Sequence, residues 1–295
     1  MAKSLITTVE GLDFKAILFE PLEANKNITL FCLPGGGLTQ DYFNLAPDFS
    51  FVNRMTALGY SVITMDHPGI ATNALPSDHP YYTPRQAASY LSQALESWDV
   101  KTPIIGIGHS MGGMLIMLMQ GNHSPFKALG LFGSSAGGLD WGLSEDEKKY
   151  INDEDNFARD LESLSLAKFG TPFTRAGAGP SGESITFGGE TDDLTKRLRE
   201  ISCEMNSASA MMSMMRGSFK SEVDAIEVPL LFAFGDHDIG IPPEDAPKDF
   251  INAPSAELVV LEKTGHNHFA FSSMITLCKT FDYWASNLDW VSRIR

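Results

Sequence analysis

Cysteine is scarce in this chain. Cys32, Cys203 and Cys278 are the only three, far apart and without the paired spacing of a zinc or redox motif. A disulfide scaffold is excluded on that ground, and free thiols in a cytoplasmic protein are expected. Basic residues are also short: 22 Lys and Arg stand against 37 Asp and Glu, for a formal charge of -15 and a pI near 4.8. Such a surface repels nucleic acid and anionic lipid, so neither is expected as a partner. Long apolar runs are missing, with no stretch near the roughly 18 residues needed for a membrane span. At the N-terminus Leu5 and Ile6 give way to Thr7, too soon for the apolar region of a signal peptide. No repeat of fixed period is visible, which excludes solenoids and propellers. His67, His79 and His123 lack ligand spacing, and neither a metal nor an organic cofactor is expected.

What is present is an alternation of strand-like and helix-like segments over 295 residues. Short runs rich in β-branched and aromatic residues lie at Ile28 to Leu33, Tyr60 to Met65, Pro103 to Ile107, Ala128 to Phe132, Leu230 to Phe234 and Leu258 to Leu261. Helical stretches such as Thr83 to Trp98 and Met111 to Gln120 fall between most of them. The pattern predicts an α/β fold with a mostly parallel sheet covered on both faces, whose sites sit at the carboxyl ends of the strands. The interval 136–226 breaks the rhythm, so residues 1–135 and 227–295 are expected to form the core and 136–226 an insertion covering the sheet. That interval opens with Glu145, Asp146, Glu147, Asp153, Glu154 and Asp155, expected as a solvated face. It continues through a Gly-rich stretch from Gly177 to Gly189, expected as a mobile loop. In its last part Leu194, Leu198, Ile201, Met205, Ala208, Met212 and Met215 recur every three or four residues, as on one apolar helix face.

The most informative stretch runs from Thr102 to Gln120. A strand, Ile104 to Ile107, enters Gly108-His109-Ser110-Met111-Gly112, and a helix follows with Met111, Met114, Leu115, Leu118 and Met119 on one face. A serine in a strained strand-to-helix turn projects its hydroxyl above the sheet, and glycine two residues to either side avoids collision. The helix aims unpaired N–H groups at the same point, so the Met111 amide can stabilise an oxyanion. His109 adjoins Ser110 in such a turn but points away, and is read as packing. Other strands end in comparable loops: Pro34-Gly35-Gly36-Gly37, Asp66-His67-Pro68-Gly69, Gly235-Asp236-His237-Asp238, and Lys263 to Phe269 with His266 and His268.

These landmarks, in this order and over nearly the whole chain, resemble the α/β-hydrolase family. The resemblance implies a serine hydrolase with Ser110 as nucleophile, Asp238 rather than Asp236 as the acid, and His266 rather than His268 as the base. It implies a second oxyanion amide in the glycine loop. Gly36 is the expected donor and Gly37 the alternative, since Pro34-Gly35 stands where the family usually has His-Gly. Asp66 precedes the serine and is assigned a structural role. The family's turn after it usually carries a second glycine and a serine, which Ile70-Ala71-Thr72-Asn73 lacks.

A small, largely apolar acyl substrate is expected, with carboxylic ester hydrolysis the leading reaction. Lactones, thioesters, amides, C–C bonds and acyl transfer use similar triads, and a ligand-binding protein of this fold is the alternative outside enzymes. The methionines at 205, 211, 212, 214 and 215, with Phe219, could form an adaptable apolar wall of the pocket or pack the insertion helix against the sheet.

Overall fold

The computed structural model describes residues 2–21, 23, 25–76, 81–175 and 188–291. Eight strands form the main sheet: β1 (Ala2–Val9), β2 (Leu12–Phe19), β3 (Thr29–Leu33), β4 (Ser61–Met65), β5 (Ile104–His109), β6 (Ala128–Phe132), β7 (Leu230–Gly235) and β8 (Ala256–Leu261). Their order is β1-β2-β4-β3-β5-β6-β7-β8. The pairs β1/β2 and β2/β4 are antiparallel and all the others parallel. Among the described residues eight α-helices accompany them: α1 (Phe51–Ala57), α2 (Pro84–Ser97), α3 (Met111–His123), α4 (Glu154–Phe169), α5 (Asp192–Glu200), α6 (Ser207–Met214), α7 (Lys220–Asp224) and α8 (Met274–Ser286).

The strand period of two sorts the core into two layers. Phe31, Leu33, Ile63, Met65, Leu129, Leu131, Phe232 and Phe234 face one side, under α2 and α3. Leu30, Cys32, Val62, Ala128, Phe132, Leu231 and Ala233 face the other, under α1 and α8. Burial on both faces explains why the central strands read as continuous apolar runs. Register brings their carboxyl ends level: Leu33 pairs with Gly108, His109 with Phe132, Phe132 with Ala233, and Gly235 with Leu261. Loops that leave these ends therefore converge on one spot.

Three elements differ from the sequence reading. The hairpin of β1 and β2 was not foreseen, because β1 lies at the sheet edge and is mostly exposed, Ile6 among its open residues. The α3 helix is buried all round from Met111 to Gln120, not on one face, because β5 lies on one side and α2, α6 and α7 on others. The stripe from Leu194 to Met215 is two helices. Between α5 and α6 the chain leaves the helix to bond the glycine loop, with Cys203 N–H donating to Gly37 O at 2.9 Å and Thr39 N–H to Ile201 O at 3.1 Å. Met205–Asn206 then pairs with Phe173–Thr174, and the Asn206 side chain caps α6 by accepting from Ser209 N–H. Leu194, Leu198 and Ile201 consequently join one core layer, whereas Ala208, Met212 and Met215 join the other.

Within 136–226 the acidic stretch is solvated at Glu145 and Asp146, which pair with Lys148 and Lys149 at the surface. Glu147 and Glu154 turn inward instead. Glu147 meets Lys168 at 2.8 Å, and Glu154 meets Arg85 at the start of α2, which Glu222 of α7 also binds. Residues 177–187 of the Gly-rich stretch, and His79, lie outside the described residues. Among the described residues no helix is long and apolar enough to cross a membrane.

Candidate active site

Ser110 sits between β5 and α3 with φ 52° and ψ -125°, a strained conformation for a residue with a side chain. Its N–H is held by Phe132 O at 2.9 Å. Neighbouring glycines permit the turn. A Cβ on Gly108 would lie 2.3 Å from Gly113 Cα, one on Gly112 2.3 Å from Pro34 O, and one on Gly113 2.3 Å from Ser134 Oγ.

The Ser110 hydroxyl is 2.9 Å from His266 Nε2, and His266 Nδ1 is 2.6 Å from Asp238 Oδ1. With Nδ1–H donating to the carboxylate, Nε2 carries the lone pair and can accept the Ser110 proton. Asp238 is fully committed. Its Oδ1 also accepts from Ile239 N–H at 2.8 Å, while Oδ2 accepts from His268 Nε2–H at 2.8 Å and Gly235 N–H at 3.3 Å. Burial pushes this carboxyl up, yet the His266 and His268 imidazoles outweigh it and hold Asp238 well below the usual carboxylate range.

Asp236 anchors the histidine loop, accepting from Lys263 N–H at 2.8 Å and Thr264 N–H at 2.9 Å, and its Oδ1 also lies 2.9 Å from Nδ1 of the adjacent His237. These backbone donors hold its carboxyl at about 2. The loop is also anchored from inside. His109 donates Nε2–H to His266 O at 2.7 Å, and its ring lies 4.8 Å from that of His266. Burial keeps His109 neutral, well below its ordinary value, so it packs and braces as expected.

The glycine loop after β3 is braced by the next strand. Asp66 accepts from Gln40 N–H at 2.7 Å and Thr72 Oγ–H at 2.6 Å, closing the turn after β4. His67 donates Nε2–H to Pro34 O at 2.8 Å. Among the described residues no hydrogen bond takes up the N–H of Met111 or of Gly36. Gly36 lies under two thioethers: a Cβ there would be 2.9 Å from Met205 Sδ and 3.1 Å from Met111 Sδ. Gly37, at φ 80°, gives its carbonyl to Cys203.

His67 also carries a pH dependence. Burial lowers it from 6.5 to about 4, only partly opposed by the Pro34 carbonyl. Because the folded value is depressed, its contribution to stability is fully present above pH 6.5 and is lost as the pH falls toward 4. Urea unfolding is expected to give a free energy lower by on the order of 2 kcal/mol at pH 5 than at pH 7 from this group. His67→Gln, which keeps an N–H donor, should flatten that part of the profile. An unchanged slope in the variant would show that His67 is not the titrating group.

A cavity of about 40 Å³ opens beside Ser110, lined by Met111, Met114, Ser134, Ser135, Ser213 and His266 among others. Met211, Met212 and Met215, expected there, are fully buried in the core layer under α3 and do not line it. Their stripe is spent on packing α6, which corrects that expectation. Met205 and Gly37 stand at the glycine loop, outside this cavity. Sequence reasoning missed His268 as a partner of Asp238, and it missed Gly133, Ser134, Ser135 and Ser213. Gly133 has φ 55°, and a Cβ on it would crowd His266 Nδ1 at 3.1 Å and Asp238 Oδ2 at 3.2 Å. The position of Gly133 to Ser135 directly after β6 was the available signal. Among the described residues no group of His, Cys, Asp or Glu is arranged to hold a metal ion.

The fold agrees with the comparison to known proteins. Residues 30–274 match the alpha/beta hydrolase family, and the chain belongs to it. Its fold is that of an esterase from Exiguobacterium antarcticum, at 20% identity and a TM-score of 0.66 over 97% of this chain and 100% of that one. A bromoperoxidase from Bacillus anthracis is similar at 15% identity and a TM-score of 0.62, covering 98% and 100%. So is a thermophilic esterase from Thermogutta terrifontis, at 15% identity and 0.61, covering 97% and 98%. No curated protein matches the chain in sequence.

Proposed function

We propose that this hydrolase-family chain is a serine hydrolase that cleaves carboxylic esters through an acyl-enzyme on Ser110. The observation that carries the reading is the continuous path from the Ser110 hydroxyl through His266 to Asp238, at 2.9 and 2.6 Å, mounted on a strained turn. His266 takes the Ser110 proton as Oγ bonds the carbonyl carbon, and Asp238 stabilises the imidazolium. The amides of Met111 and Gly36 receive the charge on the carbonyl oxygen, each worth on the order of 3 kcal/mol in the barrier. The imidazolium then protonates the leaving alcohol as the C–O bond breaks, and water repeats the sequence to release the acid. Residues 136–226 act as the cap over this site. Three thiols that stand apart suit the cytoplasm.

A fluorophosphonate probe forms its covalent bond only with an activated serine. Incubation of the folded protein is expected to give one label, placed on Ser110 by peptide mapping, together with turnover of p-nitrophenyl acetate. Folded protein that takes no label and hydrolyses no ester would overturn the proposal.

A further inference from the structure

The cavity beside Ser110 mixes apolar walls, from Met111, Met114, Leu139, Phe234 and Ile239, with hydroxyl groups. Three serines line it besides Ser110, and their hydroxyls are not equivalent. Ser213 donates to Ala210 O at 2.9 Å within α6, so its proton is engaged and its lone pairs remain. Ser135 Oγ accepts from Gly137 N–H at 3.2 Å, so its proton remains. Ser134 is only 6% exposed, and among the described residues no hydrogen bond engages its hydroxyl. The wall thus offers two O–H donors, from Ser134 and Ser135, beside acceptor lone pairs on all three serine oxygens, a mixed set that a ligand hydroxyl, itself both donor and acceptor, can satisfy in both senses.

Size and position beside Ser110 say which part of the substrate this is. Phe234 and Met114 line it and are nearly inaccessible. The leaving alcohol must depart before water arrives, whereas the acyl group stays on Ser110 through both halves of the reaction. A small cleft beside Ser110 with buried side chains in its wall therefore suits the acyl group, and about 40 Å³ leaves room for only a few carbons. We infer that the preferred substrates are esters of short hydroxy acids, read by Ser134, Ser135 and Ser213, and not esters of medium or long fatty acids. This rests on the ester-hydrolase reading above.

The test uses p-nitrophenyl esters of butanoic, 2-hydroxybutanoic, 3-hydroxybutanoic and octanoic acids, with fluorophosphonate labelling run in parallel. A site built to bond a hydroxyl penalises the analogue without one, so kcat/KM for one of the hydroxybutanoyl esters should exceed that for butanoyl by at least about tenfold. Octanoyl should be slower than butanoyl. Ser134→Ala and Ser213→Ala, each checked for folding and for labelling of Ser110, should shrink the hydroxybutanoyl-to-butanoyl ratio toward one. Turnover with butanoyl equal to or above both hydroxybutanoyl esters, or with octanoyl fastest, overturns this inference and leaves the esterase reading standing. So does a ratio unmoved by both variants. Absence of labelling and of all turnover in folded protein overturns both.

Discussion

Replacing Asp238 by alanine is expected to lower kcat, and the rate at which a fluorophosphonate labels Ser110, by about four orders of magnitude. Alanine leaves His266 Nδ1–H, His268 Nε2–H and two backbone N–H groups facing a space they now share without an acceptor. The imidazole then loses both its fixed tautomer and the charge that stabilises its protonated form. Asp238→Asn is the informative companion. An asparagine oxygen turned toward His266 and Ile239 keeps the tautomer but points its NH₂ group at His268 and at the Gly235 N–H. A neutral imidazole can accept at Nε2 if its proton moves to Nδ1, which in the folded protein is buried and has no partner. His268 thus gives the asparagine a way to leave His266 correctly oriented, so the losses are the charge and the long bond from Gly235 N–H. Asp238→Asn should retain at least about tenfold more activity than Asp238→Ala, and the advantage should vanish in Asp238→Asn combined with His268→Ala. Equal rates for the two single variants would show that His268 does not adapt and that its bond to Asp238 is ordinary packing.

That His268 matters at all could not be read from its neighbours in the chain. The resemblance marks one histidine in the loop after β8, and only the fold reveals that the next but one turns back onto the same carboxylate. The parts that were legible share a physical cause. Strands β3 to β7 are buried on both faces, so their apolar runs stand out, and register alone then carries Ser110, Asp238 and His266 to one edge of the sheet. The β1 strand failed to stand out because an edge strand with solvent on most of its residues has no need of a continuous apolar run. For α5 and α6 the 3.6-residue pattern continued across the break, since each helix has its own core to face. What interrupts them is a backbone pairing with Gly37 and Thr39, a contact between residues more than 160 positions apart that leaves no local trace. Methionines at helical spacing were equally compatible with a pocket wall and with packing, and complete burial of Met211, Met212 and Met215 decides for packing.

Gly112→Ala separates two physical effects of opposite sign. Gly112 is the second residue of α3, and by helix propensity alone alanine there should stabilise the protein by roughly 0.5–1 kcal/mol. Geometry says the reverse. A Cβ at this position would sit 2.3 Å from Pro34 O and 2.4 Å from Leu33 O, both backbone atoms where β3 enters the glycine loop. No side-chain rotation relieves such a contact, so either α3 lifts from the sheet or the loop bearing Gly36 moves. Overpacking against backbone should cost more than about 3 kcal/mol and lower Tm by roughly 6–12 °C. Displacement of the loop should also slow fluorophosphonate labelling in whatever folded protein remains. Gly188→Ala serves as the control, because a Cβ on Gly188 meets nothing within 4 Å and Tm should stay within about 2 °C. A Gly112→Ala variant as stable as the parent would mean that the close approach of α3 to the end of β3 is not what requires glycine at this turn.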